Sequence, residues 1–236
     1  MRLTIIVPVF NEEDCLQNFY KKANDYIEQV ASLETSVLFV NDGSNDSSLA
    51  IIKDIVKNNN HFHYISFTKN NGLSTAIKAG IDHISTDLIG YIDADLQTTP
   101  LDFEELLKHI AEHDAVVGFR AKRKDTLNKK IQSRIANYFR RILIKDSIID
   151  TGCPLKIIKS EVAKNLPFFK GMHRFIPALI LMQNGTVKQI QVQHFERTAG
   201  LSKFNLLNRS VGPLVDVFAY NWMKKRFISY QISEES

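Results

Sequence analysis

Cysteine, tryptophan and long apolar runs are what this sequence has least of. Of its 236 residues two are cysteine and one is tryptophan. Cys15 and Cys153 make no disulfide framework, so the expected core stands without covalent staples and its thiols are reduced, as in a cytoplasm. No stretch approaches the ~20 apolar residues that a bilayer-spanning helix needs. The longest candidate, 211–223, is broken by Asp216 and Asn221, so no transmembrane span is expected. Met1-Arg2 leads into a short apolar run cut by Pro8 and followed by Asn11-Glu12-Glu13-Asp14, which is no secretion signal. Internal repeats, low-complexity tracts and an inter-domain linker are absent as well. The basic stretches carry no recognised reading module, which argues against nucleic acid as a partner. What is present is ordinary for a soluble globular chain: 44% hydrophobic, 24% charged, net charge +4. That fits one sizeable α/β domain with additions.

Short β-prone runs at 3–8, 36–40, 63–67, 88–97 and 115–118 alternate with stretches of helical period at 14–31, 47–57, 72–83 and 101–112. Alternation of this kind means βαβ units, and right-handed crossovers then give an α/β, Rossmann-like, mainly parallel sheet flanked by helices. Beyond Phe119 the pattern changes. Residues 122–145 are strongly basic, with Leu127, Ile131, Ile135, Tyr138 and Ile142 on one helical stripe. Strands are expected near 155–158 and 187–194 and a helix near 176–182. A second amphipathic pattern at 206–227 (Val211, Leu214, Val215, Phe218, Trp222) ends in Lys224-Lys225-Arg226.

The chain is organised around Leu88-Ile89-Gly90-Tyr91-Ile92-Asp93-Ala94-Asp95-Leu96-Gln97. An apolar run between helical stretches reads as a buried parallel strand, and ligands of such sheets bind outside the carboxyl ends of the strands. Alternation along an extended strand would point Asp93, Asp95 and Gln97 the same way. Two carboxylates on one side repel unless a cation lies between them, and hard oxygen ligands suit Mg²⁺ or Mn²⁺ bound together with substrate phosphates. A plain strand-end turn is the alternative. Its neighbours tip the balance: Val7-Pro8-Val9-Phe10-Asn11-Glu12 and Val40-Asn41-Asp42-Gly43-Ser44 leave adjacent strands on the same rim. Glu12 and Asp42 for a base or ribose, Phe10 for a ring, and Asp93 with Asp95 for a metal are the residue types a nucleoside diphosphate requires.

These motifs, with Asn70-Asn71-Gly72, Pro100, Gly118-Phe119-Arg120, Asp150-Thr151-Gly152-Cys153 and Arg197-Thr198-Ala199-Gly200-Leu201-Ser202-Lys203, resemble glycosyltransferase family two. More narrowly, the Asp-Ala-Asp-Leu-Gln string is similar to the dolichyl- and polyprenyl-phosphate sugar synthase branch. The resemblance covers about residues 1–205. It implies a GT-A fold, with a nucleotide-sugar half over 1–120, an acceptor half over 121–205 and an amphipathic tail over 206–236. It further implies inverting transfer of a hexose from a UDP- or GDP-linked donor to polyprenyl phosphate, at the inner face of the cytoplasmic membrane. By the same resemblance Pro8, Phe10, Glu12 and Asp42 would hold the nucleoside, and Asp93, Asp95 and Gln97 the metal and diphosphate. Arg120, Arg134, Arg197 and Lys203 would face the acceptor phosphate. Asn41 departs from the pattern, since many relatives have aspartate there, and many relatives add spanning helices after the tail.

The chemistry fits the residues. A phosphate monoester is largely dianionic at neutral pH, with a second pKa of about 6, so it needs cations more than it needs a base. Arginine's planar fork suits phosphate oxygens, which favours Arg120, Arg134 and Arg197. Asp95 and Arg120 are the leading catalytic residues; Asp150 is the carboxylate that would position or deprotonate the acceptor, with a loop cap as the alternative. His173-Arg174 is a weaker candidate. The cationic amphipathic stretches 127–145 and 206–226 either pack as ordinary helices or lie in the membrane interface with Phe218, Tyr220 and Trp222 at headgroup depth. They would also serve to pair two copies of the chain. Two other functions are weighed: transfer to a sugar hydroxyl in polysaccharide or lipopolysaccharide assembly, and non-catalytic nucleotide-sugar binding.

Overall fold

The structure is a computed structural model and describes residues 1–120, 144, 147–195, 211–228 and 234. The expected helix at 122–145 lies outside them except for Ile144, which is buried. The described residues build a seven-stranded sheet in the order β3-β2-β1-β4-β6-β5-β7. Its strands are β1 (Arg2–Val9), β2 (Glu34–Asn41), β3 (Phe62–Ser66), β4 (Leu88–Tyr91), β5 (Ala115–Phe119), β6 (Lys156–Lys159) and β7 (Val187–Gln191). The pairs β1–β2, β2–β3, β1–β4 and β5–β7 are parallel, while β6 runs antiparallel to both β4 and β5. A mainly parallel sheet is what the βαβ alternation requires. The antiparallel β6 follows a long excursion of the chain and carries no such signal.

Helices cover both faces, so the central strands are apolar on both sides instead of alternating. Along β1, Leu3, Ile5 and Val7 face a core with Phe19, Phe39, Phe62 and Phe103, contributed on the helix side by α1 (Glu13–Gln29) and α4 (Asp102–Leu107). Ile6 faces a second core with Ile77, Phe175 and Leu179, on the side of α3 (Leu73–His83) and α6 (Ile176–Met182). The edge strands β3 and β7 are the exposed ones. The α3–β1 contact is close because Gly80 lacks a side chain: a Cβ there would lie 2.8 Å from Ile6 Cγ2. Helix α2 (Ser48–Asn58) makes the second crossover, from β2 to β3, as α1 makes the first.

Four expectations are corrected. Strand β4 ends at Tyr91, and the residues after it turn instead of continuing extended. Helix α4 stops at Leu107 rather than 112, the rest being turns. A short helix, α5 (Ser160–Lys164), was not foreseen. In α7 (Val211–Arg226), Tyr220 is core and not interfacial: it is 1% exposed, stacks on Phe175 at 5.7 Å and donates its hydroxyl hydrogen to the Ala178 carbonyl at 3.1 Å. Val215, Phe218 and Trp222 lie on the outer side, 60–65% exposed. No helix among the described residues is long and apolar enough to cross a membrane.

Candidate active site

The carboxyl ends of β1 and β2 are bound to each other before any ligand arrives. Asn11, at φ 51°, accepts the Asn45 N–H on its side-chain oxygen (2.7 Å), and its own N–H donates to Ser44 Oγ (2.9 Å). The Glu12 N–H donates to Ser48 Oγ at 2.8 Å, while the Glu12 carbonyl accepts the first turn of α1. Pro8, Phe10 and Glu12 are half-buried along this rim. Asp42 is 3% exposed and accepts from Asn71 N (2.7 Å), Gly72 N (2.9 Å) and Asn70 Nδ2 (3.0 Å). It therefore anchors the loop that starts α3. That loop passes so near Gly43 (φ 66°) that a Cβ there would lie 2.4 Å from the Lys69 carbonyl carbon. Asn41, where the motif departs from the family pattern, is buried: Nδ2 donates to Ser66 Oγ (2.9 Å) and Oδ1 accepts from Ser44 N (3.3 Å).

Asp93 and Asp95 lie in the turn beyond β4, next along the same rim. The turn forms because Asp95 Oδ1 accepts the N–H of Gln97 (3.1 Å), a local bond that competes with strand pairing, and because Leu96 takes φ 54°. Asp93 Oδ1 accepts the Tyr91 hydroxyl hydrogen at 2.8 Å. Desolvation, and then the neighbouring Asp95 carboxylate, push Asp93 up to about 6 against the Tyr91 bond and the charges of Lys156 and Arg120. The Gln97 carbonyl is held by Phe195 N (3.0 Å) and His194 Nδ1 (3.2 Å), which ties this turn to the chain leaving β7.

The second half of the site is an ion pair. Arg120, at the end of β5, donates from Nε to Asp150 Oδ2 (2.7 Å) and from an Nη to Oδ1 (3.1 Å), both side chains being under a tenth exposed. The Gly152 N–H adds a bond to Oδ1 at 3.1 Å and the Arg120 N–H one to Oδ2 at 3.3 Å. One residue missed in the sequence, Lys156, and one weaker candidate, His173, lie nearby. Lys156 is 2% exposed, its ammonium 5.1 Å from the centre of the Tyr91 ring. The one signal for it was a lysine inside the apolar run Leu155-Lys156-Ile157-Ile158. His173 shares a 2.8 Å hydrogen bond with Ser74 Oγ, which also accepts the Gly171 N–H at 3.0 Å. Burial, then the charges of Arg174 and Lys156, push His173 down to about 3, so it is neutral at physiological pH. The 91–97 turn fits a hard divalent cation. Its donors are carboxylate and amide oxygens, burial and then the Asp95 charge push Asp93 up, and the buried hydroxyl of Thr98, next in sequence, has no partner among the described residues. Among the described residues there is no cluster of three or more His, Cys, Asp or Glu that could hold a metal ion by itself.

The profile of glycosyl transferase family 2 matches residues 4–167. The chain belongs to that family. It is 30% identical over 231 residues to the dodecaprenyl-phosphate galacturonate synthase of Rhizobium johnstonii, covering 93% of this chain and 66% of that one. It is also 30% identical over 213 residues to the bactoprenol glucosyl transferase of Shigella phage SfV, covering 87% and 67%. The undecaprenyl-phosphate 4-deoxy-4-formamido-L-arabinose transferase of Salmonella choleraesuis is again 30% identical, over 87% of this chain and 63% of that one. The chain thus spans about two thirds of the length of these relatives. In fold it matches the Mycobacterium tuberculosis glucosyl-3-phosphoglycerate synthase crystallised with Mn²⁺, UDP and glucosyl-3-phosphoglycerate. The TM-score is 0.73 at 13% identity, over 97% of this chain and 81% of that one.

Within this family 2 domain, the structure brings Asp93, Asp95 and Gln97 onto one turn, Pro8, Phe10, Glu12 and Asp42 onto the adjoining strand ends, and Arg120 against Asp150. Arg134, Arg197 and Lys203 lie outside the described residues. A cavity of about 500 Å³ between Leu101 and Gln193 is lined by Asp102, Glu104 and Glu105. None of the candidate site residues lines it, so that cavity is not the candidate site.

Proposed function

We propose that this chain transfers a hexose from a nucleotide-diphosphate sugar to polyprenyl phosphate, with inversion, at the inner face of the cytoplasmic membrane. The observation that carries the reading is the pairing of an electrostatically strained Asp93–Asp95 turn with a buried Arg120–Asp150 ion pair. Family membership and the names of the relatives support it. Asp93, Asp95 and Gln97 would hold Mg²⁺ or Mn²⁺, which when bound neutralises charge growing on the departing diphosphate. Pro8, Phe10 and Glu12 line the strand ends where the nucleoside would lie, and Asp42 keeps the facing loop in place. An acceptor phosphate oxygen attacks the anomeric carbon from the side opposite the diphosphate. The bond from that carbon to the β-phosphate oxygen breaks, and its electron pair leaves with the nucleoside diphosphate. One displacement inverts the centre.

The state of Asp150 weighs against a hydroxyl acceptor. Four donors occupy its two oxygens, and a carboxylate offers about four lone pairs, so little remains to take a hydroxyl proton. Its role here is to orient Arg120 toward an anionic acceptor, with Arg134, Arg197 and Lys203 as further cations. The exposed Val215, Phe218 and Trp222 and the basic end of α7 would rest on anionic lipid, where such an acceptor resides. The test is a screen of UDP-, GDP- and dTDP-sugars with short-chain polyprenyl phosphate and Mg²⁺ or Mn²⁺. Product with a polyprenyl phosphate, lost on Asp95→Ala, is expected; transfer confined to hydroxyl acceptors overturns the proposal.

A further inference from the structure

Lys156 occupies a place where the strand pattern calls for an apolar side chain. In β6 it is in register with Tyr91 of β4 on one side and Val117 of β5 on the other. Burying an ammonium is costly unless acceptors and opposite charge compensate it. The carbonyls of Cys153 and Pro154 accept two of its N–H bonds. The charge itself lies over the Tyr91 ring, 5.1 Å from its centre, and the hydroxyl of that ring donates to Asp93 Oδ1 at 2.8 Å. A cation on the face of a phenol is attracted to its ring, and in a low-dielectric setting it polarises the hydroxyl into a stronger donor.

We propose that Lys156 is a positioning residue for the metal–diphosphate site: acting through Tyr91, its buried charge fixes the Asp93 carboxylate by one oxygen and leaves the other for the cation. This rests on the reading of Asp93 and Asp95 as the pair that holds the metal. Groups that orient a metal ligand typically change affinity 10- to 100-fold when removed. A lysine that only stitched the 153–156 turn through two carbonyls would change stability and not metal affinity.

The experiment is Mn²⁺ titration of the full chain, followed by the EPR signal of free Mn²⁺ with and without UDP. The proteins are the wild type, K156M, Y91F, the K156M/Y91F double variant and D93A/D95A, with melting curves alongside. Y91F keeps the ring, the lysine and its carbonyl bonds, so it decides the matter even where K156M does not fold. Each single variant is expected to bind Mn²⁺ about tenfold more weakly or worse, and the double variant no more weakly than the poorer single, because both cut one line of contacts. Wild-type affinity in Y91F, wild-type affinity in folded K156M, or losses that add in the double variant would overturn the assignment. Retention of Mn²⁺ by D93A/D95A would instead overturn the metal site itself, whatever the lysine variants do.

Discussion

Replacing Asp93 by asparagine keeps the shape of the turn and removes one of two opposed charges. In the folded chain Asp93 is raised from 3.8 to about 6, first by desolvation and then by Asp95. A carboxyl whose folded pKa is raised contributes stability at low pH and loses it as pH climbs through the folded value. The metal-free wild type therefore becomes less stable, relative to Asp93→Asn, as pH rises from about 4 through 6. At about 1.36 kcal/mol per unit, the full difference is on the order of 3 kcal/mol, and partial exposure at the rim lowers it to roughly 1–3 kcal/mol. For a domain of this size that is roughly 2–12 °C in Tm. Urea unfolding in EDTA between pH 4.5 and 8 should show curves that lie closest at the acid end, part as pH climbs to about 6 and run parallel above it, with Asp93→Asn the more stable. Saturating Mn²⁺ should stabilise the wild type by mass action and leave the variant unmoved. Parallel pH profiles, or a variant less stable than wild type at pH 8, would refute the claim that the acid pair is held under electrostatic strain.

Three further outcomes are expected. His173 is depressed to about 3, a shift that costs stability as pH falls below its ordinary value of 6.5; His173→Gln should remove about 2–3 kcal/mol of the loss seen between pH 7 and 4.5 in urea titrations. Gly43→Ala puts a side chain at φ 66° against the Lys69 backbone, so it should cost at least about 2 kcal/mol and, on the proposed function, weaken binding of whichever nucleoside diphosphate, UDP or GDP, the wild type takes up in calorimetry. Phe218→Ser with Trp222→Ser removes two exposed apolar side chains from α7 and should abolish flotation with anionic vesicles at low salt while leaving the melting curve in place; unchanged flotation would mean that this face does not meet lipid.

The alternation of apolar and helical runs determined the α/β class and the parallel strands, because a strand covered on both faces must be apolar nearly throughout, as Leu3 to Val9 are apart from Thr4, whose hydroxyl is hydrogen-bonded. Motif order likewise placed Asp93, Asp95, Glu12 and Arg120 near the carboxyl ends of strands. Three things were settled only in three dimensions. Asp93 and Asp95 share a turn, not a strand face, because a local bond from Asp95 to the Gln97 N–H outweighs further pairing beyond Tyr91. Tyr220 went to the core and Trp222 to the surface, since a helix with apolar residues on more than one side buries whichever face its neighbours meet. Arg120 found Asp150, and Lys156 found Tyr91, across an antiparallel strand that only the returning chain could supply. A sequence records which groups are present along one line; which charges neutralise each other is set by distance through space, and that distance exists only once the sheet has closed.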